Sequence, residues 1–246
     1  MDCIDLGRVQ RRTLTIIAMV SLLSFVLLAA DLAEGHGVYG FEGSLLRSLG
    51  SPTSVDSWAE AAELLAAPAI IGVLIIAFAF GVWRRSVTRV AAYTGFAAVV
   101  FLVSEHVAKP LVHETYKGTL TFPSGNVTAV CATAVAMWLA YYPLLGRRAR
   151  SVMLLLGAAW VLLISVAVVG AHWHTPFDAL GSVVLSLGII AAGGALFERL
   201  LPRSTTGRNG GDALRLASSE APDPMPQAPR PARPATWMRR PARVSP

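Results

Sequence analysis

The sequence predicts an all-α fold, a polytopic membrane bundle of six transmembrane helices. Three observations predict it. Only 15% of the 246 residues are charged, whereas a soluble domain carries about a quarter. The apolar residues gather in six long stretches. The arginines fall almost entirely on one side of the topology that six crossings create.

Each of the six stretches is long enough to cross a bilayer, since a crossing helix needs roughly 20 residues to span about 30 Å of hydrocarbon. Five of them contain no Asp, Glu, Lys or Arg, one of these within a longer charge-free run, and the sixth is apolar until Glu105. In chain order the predicted spans are 13–30, 64–83, 90–108, 127–146, 151–171 and 179–197.

The positive charges orient the bundle. In a six-span topology 18 of the 21 basic residues lie on the side of the two termini, and only Arg47, Lys109 and Lys117 lie on the other. Because basic residues concentrate on the cytoplasmic side, both termini are predicted to be cytoplasmic in a cell-membrane protein. The net charge of +6 therefore reflects orientation, and no nucleic-acid partner is expected.

The chain divides into a cytoplasmic N-terminus at 1–12, a membrane domain at 13–200 and a tail at 201–246. Residues 13–30 have some features of a cleaved secretory signal, but the run is longer than a usual signal core, so we expect a retained helix. The tail is rich in proline and arginine and poor in large apolar residues. It is predicted to be disordered and basic. A solvated tail without a specific partner is favoured over one whose arginines contact anionic lipids.

A histidine and an aspartate stand four residues apart where the sixth span begins, at His174 and Asp178. This helical spacing can place the carboxylate against one imidazole nitrogen and leave the other as a base or nucleophile. Alternatively, His172 and His174 are interfacial residues and Asp178 caps the helix. A metal site completed by His113 or Glu114 is less favoured, because the two histidines lack the helical spacing of zinc motifs.

A Pro123-Ser124-Gly125 turn precedes the fourth span. Such a turn presents backbone N–H groups at a helix N-terminus, which favours an anion such as phosphate. The alternative is a plain helix cap made by Ser124 or Asn126. Lys109, at the outer end of the third span, is either the cationic partner of that anion or a snorkelling interface residue.

In combination these residues resemble a known family. Lys109, the 123–125 turn, and His174 with Asp178 are similar to three motifs of the type 2 phosphatidic acid phosphatase and vanadium haloperoxidase superfamily. Those motifs are Lys-x6-Arg-Pro, Pro-Ser-Gly-His and Ser-Arg-x5-His-x3-Asp. The resemblance covers roughly residues 60–200, and this chain is a divergent member by its motifs.

The resemblance implies a lipid phosphate or diphosphate phosphatase that acts at the outer face through a phosphohistidine. His174 would be the nucleophile and Asp178 its orienting carboxylate. Ser124, the backbone of Gly125 and Lys109 would bind phosphate. The substrate would come from the surrounding membrane lipids, and the family chemistry needs no metal or cofactor. The oligomeric state is left open.

Several residues depart from the family motifs. An asparagine cannot give up the proton that the motif histidine donates, and such general acid catalysis is worth roughly 10²–10⁴ in rate. The absent arginines remove bidentate contacts to phosphate oxygens. The departures are Tyr116 and Lys117 for Arg-Pro, Asn126 for the histidine, and Ala167 and Val168 for Ser-Arg.

Nearby residues are expected to compensate in part. Lys117 can supply a point charge to bind substrate, though without the planar guanidinium fork. His172 and His113 are stand-ins for the missing acid, and Tyr116 is a further auxiliary residue.

Two other functions compete with the phosphatase. One is a catalytically degenerate protein that binds or moves a phospholipid or supports envelope assembly, as the lost arginines suggest. The other is an ion or proton transporter using Glu105, His106 and Asp178. It is less favoured because these residues lie near span ends, whereas coupling sites lie near the bilayer midplane.

Overall fold

The computed structural model describes residues 6–34, 52–116 and 119–200 of the chain. Lys117 and the tail at 201–246 lie outside the described residues, so the predictions made for them stay predictions.

The described part is helical apart from one pair of two-residue strands. The helices are accompanied by a π-helical turn, Ser104–Ala108, and a 3-10 turn, Tyr142–Leu144. Strand β1, Thr115–Tyr116, pairs antiparallel with β2, Thr119–Leu120. The helices are α1 Leu6–Ala33, α2 Pro52–Leu65, α3 Ala67–Trp83, α4 Val87–Val103, α5 Lys109–Val112, α6 Gly125–Tyr141, α7 Arg147–Gly170 and α8 Pro176–Leu200.

Six segments are long and apolar enough to cross a membrane, which confirms the predicted six-helix fold. The second begins earlier than the predicted residue 64, because α2 continues into α3 with a break only at Ala66. The six segments are Gln10–Ala33, Val55–Trp83, Val87–Val112, Gly125–Leu144, Arg147–Gly170 and Pro176–Leu200.

Helices α6 and α8 form the centre of the bundle. About 61% of the most apolar stretch of α6 and 50% of that of α8 is buried, against 17–22% for the other four spans. Helix α6 packs against α4, α7 and α8, and α1 packs along α8. The two central helices are those that begin at the predicted phosphate turn and at the His–Asp pair.

The π-helical turn gives the end of the third span an unusual shape. The amide of Lys109 donates to the carbonyl of Ser104, five residues earlier. Pro110 follows and has no amide hydrogen, so it cannot form the α-helical bond to the carbonyl of His106. Such π turns are frequent at functional sites, and this one contains Glu105 and ends directly before Lys109.

An aromatic contact holds the segment before α6 against two other helices. The buried ring of Phe122 stacks on Phe25 of α1 with ring centroids 5.5 Å apart. The same ring lies over Gly181 of α8, where any Cβ atom would collide with it. Glycine at this position therefore lets the turn approach α8 closely.

Candidate active site

His174 and Asp178 form the pair that their spacing predicts. His174 Nδ1 lies 3.3 Å from Asp178 Oδ2. The same carboxylate oxygen accepts the N–H of Thr175 at 2.8 Å, and the Thr175 hydroxyl accepts the N–H of Asp178 at 3.2 Å. This reciprocal arrangement is a capping box. Asp178 thus caps α8 and also contacts the imidazole, and the catalytic role of the pair stays a prediction.

Burial strengthens this pair. The Asp178 side chain is 0% exposed and that of His174 is 13% exposed. A hydrogen bond between such groups is shielded from competing water. Because Asp178 contacts Nδ1 of His174, the other imidazole nitrogen, Nε2, is not bound by this carboxylate.

A tight turn leads from α7 to His174. The carbonyl of Val168 accepts the N–H of Trp173 at 3.0 Å and that of His174 at 3.4 Å. His172, which directly precedes Trp173, has a left-handed backbone with φ of 56°. Val168 stands where the family has an arginine, and its own side chain is fully buried and aliphatic. Val168 therefore supplies its backbone carbonyl as a hydrogen-bond acceptor in the turn, and its side chain brings no charge to the site.

The Pro-Ser-Gly turn also lies where the sequence predicts it, because α6 begins at Gly125. Ser124 occupies the N-cap position, yet its side chain makes no capping hydrogen bond. Its hydroxyl is buried and has no hydrogen-bond partner within the part of the chain that the structure describes. The plain-cap interpretation is therefore wrong for Ser124.

Backbone and serine contacts join this turn to the His–Asp pair. The N–H of Ser124 donates to the carbonyl of Asp178 at 3.3 Å. Ser182 Oγ lies 2.9 Å from the carbonyl of Ser124 and 2.8 Å from that of Asp178. One turn deeper, Ser186 Oγ contacts the carbonyl of Thr128 at 3.3 Å. The starts of α6 and α8 are thereby held side by side.

Lys109 reaches the same place from the third span. Its Nζ lies 2.7 Å from Oε1 and 2.8 Å from Oε2 of Glu105. A Cβ atom added to Gly125 would lie 2.6 Å from Glu105 Oε1 and 3.6 Å from Lys109 Nζ. Lys109 therefore points at the first residue of α6 rather than snorkelling to the interface. All three predicted stretches meet at this point.

Glu105 is the site residue that the sequence interpretation missed. It was considered only for ion transport, although its helical i, i+4 spacing to Lys109 favours an ion pair. The ion pair was therefore predictable from spacing. Its position against Gly125 was not, because it depends on how two distant helices pack.

The remaining predicted residues lie as follows. Asn126 is half-buried in the first turn of α6, directly after Gly125. His113 is exposed and ends α5 in a left-handed conformation with φ of 54°. Tyr116 lies in β1. The auxiliary roles given to His113 and Tyr116 stay predictions.

Comparisons with known proteins agree with this geometry. The model of the PAP2 superfamily matches residues 101–200, which include all three stretches of the site. No curated protein sequence matches the chain significantly.

A solved structure shares the fold. It is described as the first transmembrane PAP2 type phosphatidylglycerolphosphate phosphatase from Bacillus subtilis. The likeness has a TM-score of 0.60 at 14% sequence identity, and it covers 76% of this chain and 98% of that one. Together with the six apolar spans, this likeness identifies an integral membrane protein. The chain is thus similar to the PAP2 superfamily over residues 101–200, and it shares the fold of a transmembrane PAP2 type phosphatase.

Proposed function

We propose that this protein is a lipid phosphate or diphosphate phosphatase that works at the extracytoplasmic face through a phosphohistidine on His174. The similarity to the PAP2 superfamily over residues 101–200 and the shared fold support a phosphatase-type hydrolase. The observation that carries the finer proposal is the hydrogen bond from Ser124 N–H to the carbonyl of Asp178. It holds the Pro-Ser-Gly turn beside the His174–Asp178 pair, which supports a phosphate site next to the histidine.

The first step would transfer the phosphoryl group to the protein. The turn amides, the unpartnered Ser124 hydroxyl and Lys109 would hold the phosphate oxygens, as donors at a helix N-terminus do. His174 Nε2 would attack phosphorus and form a P–N bond as the P–O bond to the lipid breaks. Asp178 would stabilise the imidazolium that develops, as the carboxylate of a catalytic triad does.

The second step would regenerate the enzyme. A water molecule would attack phosphorus, the P–N bond would break, and inorganic phosphate would leave with His174 neutral again. Every group in this scheme is a side chain or amide of the chain itself, so the proposal is a metal-independent hydrolase without a cofactor.

The lipid substrate and the side of action follow from where the site lies. The turn before α6 and the start of α8 are both ends of membrane spans, within reach of a lipid headgroup. The positive-inside rule assigns these ends to the extracytoplasmic side. The structural relative's description as a phosphatidylglycerolphosphate phosphatase supports a phosphate on a membrane lipid.

Phosphate release by the purified protein in detergent tests this proposal. Lipid monophosphates and isoprenoid diphosphates are supplied in turn, and His174→Ala is compared with the wild type. His106→Ala is the matched control, because His106 is an exposed histidine on the π-helical turn. We expect turnover by the wild type and the control and at least a 10²-fold loss in H174A. Equal turnover by all three proteins would refute the proposed mechanism.

Glu105 favours a second candidate, a degenerate member that binds phospholipid without turnover. Its carboxylate forms an ion pair with Lys109 beside the start of α6, and the buried, uncharged Val168 stands where the family motif has an arginine. This candidate predicts saturable binding of a phosphate lipid, weakened by Lys109→Met, with no phosphate released from any substrate.

A further inference from the structure

The structure places a carboxyl group beside Gly125, the residue that precedes the position of the missing family histidine. Asn126, which replaces that histidine, has no proton to give at neutral pH. Glu105 Oε1 is the described atom that a Cβ at Gly125 would approach most closely, at 2.6 Å. Glu105 therefore borders the residue that separates Ser124 from Asn126.

The charges at this point change when a phosphate enters. Glu105 and Lys109 form a pair with no net charge when both are ionised. A bound phosphate adds a second anion that competes for the same Nζ. The Glu105 carboxyl group would therefore lie beside the phosphate, next to the turn where the family histidine is absent.

We propose that Glu105 is a catalytic residue that gives up and recovers the proton handled elsewhere in the family by the motif histidine. This inference rests on the proposed function. As His174 Nε2 forms its bond to phosphorus and the P–O bond breaks, the Glu105 proton passes to the leaving oxygen of the lipid alcohol. As water then attacks the phosphohistidine, the Glu105 carboxylate accepts one proton of that water, and the cycle closes.

The same contact has an opposite interpretation, in which Glu105 is an internal anion that excludes phosphate. The two make different predictions for Glu105→Gln, which keeps the shape and removes the charge. If Glu105 is the proton donor, the variant loses that proton and turnover falls. If Glu105 instead excludes phosphate, the variant loses a competing anion, and both the affinity for the phosphate substrate and turnover rise.

The leaving group distinguishes a proton donor from a merely structural residue. An alkyl lipid phosphate releases a basic alkoxide that needs a proton, whereas 4-nitrophenyl phosphate releases a stable phenolate that does not. We expect E105Q to lower turnover of the alkyl substrate by roughly 10²–10⁴-fold and that of the aryl substrate by less than about tenfold. Retained aryl turnover also shows that the variant is folded. Glu60→Gln, an exposed carboxylate of α2, is the matched control and should change neither.

Returning the family histidine gives a second, independent readout. Asn126→His should raise alkyl turnover by less than about threefold in the wild type, because an acid is already present. In the E105Q background it should restore most of the loss, on the order of 10²-fold.

The outcomes separate the two proposals. An equal loss on both substrates, a rise in E105Q, or a 10²-fold gain from N126H alone would overturn the role of Glu105 while leaving the phosphatase intact. No turnover of any substrate by the wild type would overturn the proposed function, and the role of Glu105 with it.

Discussion

The backbone N–H of Ser124 donates a hydrogen bond to the backbone carbonyl of Asp178, with 3.3 Å between nitrogen and oxygen. The two residues are far apart in sequence and begin the two most buried helices of the bundle. Neither side chain takes part, so this contact survives most substitutions. It means that the phosphate turn and the His–Asp pair keep one relative position, as in-line attack on a bound phosphate requires.

Asp178→Asn should separate the chemical role of Asp178 from its capping role. The amide oxygen of asparagine can still accept the N–H of Thr175, so the start of α8 is preserved. The imidazolium formed during transfer loses its counter-charge, and we expect turnover to fall by roughly 10²–10⁴-fold. Steady-state kinetics and a thermal melt measure the two effects. Full activity in D178N would show that the pair is structural only.

Ser182→Ala and Ser186→Ala form a matched pair one helical turn apart. Each hydroxyl lies within hydrogen-bond distance of one carbonyl of α6 and one of α8. Each deletion should cost about 1 kcal/mol of unfolding free energy. Only Ser182 holds the turn at Ser124, so S182A alone should also lower turnover, by roughly tenfold. Identical kinetics in the two variants would show that the turn needs no such support.

Gly181→Ala should destabilise the bundle. A methyl group there would collide with the buried ring of Phe122, which is stacked on Phe25. Overpacking of this kind costs about 1–3 kcal/mol. Gly95→Ala on α4 is the control, because no atom lies within 4 Å of a Cβ added there. Thermal unfolding in detergent measures both, and a G181A melt at or above that of G95A would contradict the packing described for Phe122.

Cysteine labelling in intact cells tests the orientation. His113→Cys and Ser151→Cys both replace exposed residues, at opposite ends of the topology. The native Cys131 is buried, and Cys3 precedes the first span. A membrane-impermeant maleimide should label H113C and leave S151C unlabelled unless the cells are opened. The reverse pattern would place the site on the cytoplasmic side.

Much of this fold could be predicted from the sequence, because charge has a high cost in hydrocarbon. The long apolar runs predicted all six spans, and only the start of the second was clearly misplaced. There Glu60 and Glu63 are charged and lie outside the predicted span, yet they belong to α2, which continues toward α3. A helix that rises out of the bilayer can carry charges, so hydropathy alone does not show where it begins.

The site was predictable where its contacts are local. The four-residue spacing of His174 and Asp178 and the Pro-Ser-Gly turn each fix a geometry within one or two helical turns. The packing of Glu105 against Gly125, in contrast, is a contact between two different spans. It depends on a π-helical turn at the end of one span and on the approach of another span 20 residues later. No pattern within either segment encodes that distance.

Trapping the covalent intermediate tests the central claim most directly. The protein is mixed with a lipid phosphate radiolabelled on phosphorus, quenched within a single turnover under alkaline denaturing conditions, and digested. Our account predicts an acid-labile, alkali-stable label on the peptide that carries His174, present in the wild type and absent in H174A. Phosphate release without any protein-bound label, or an equally labelled H174A, would contradict it.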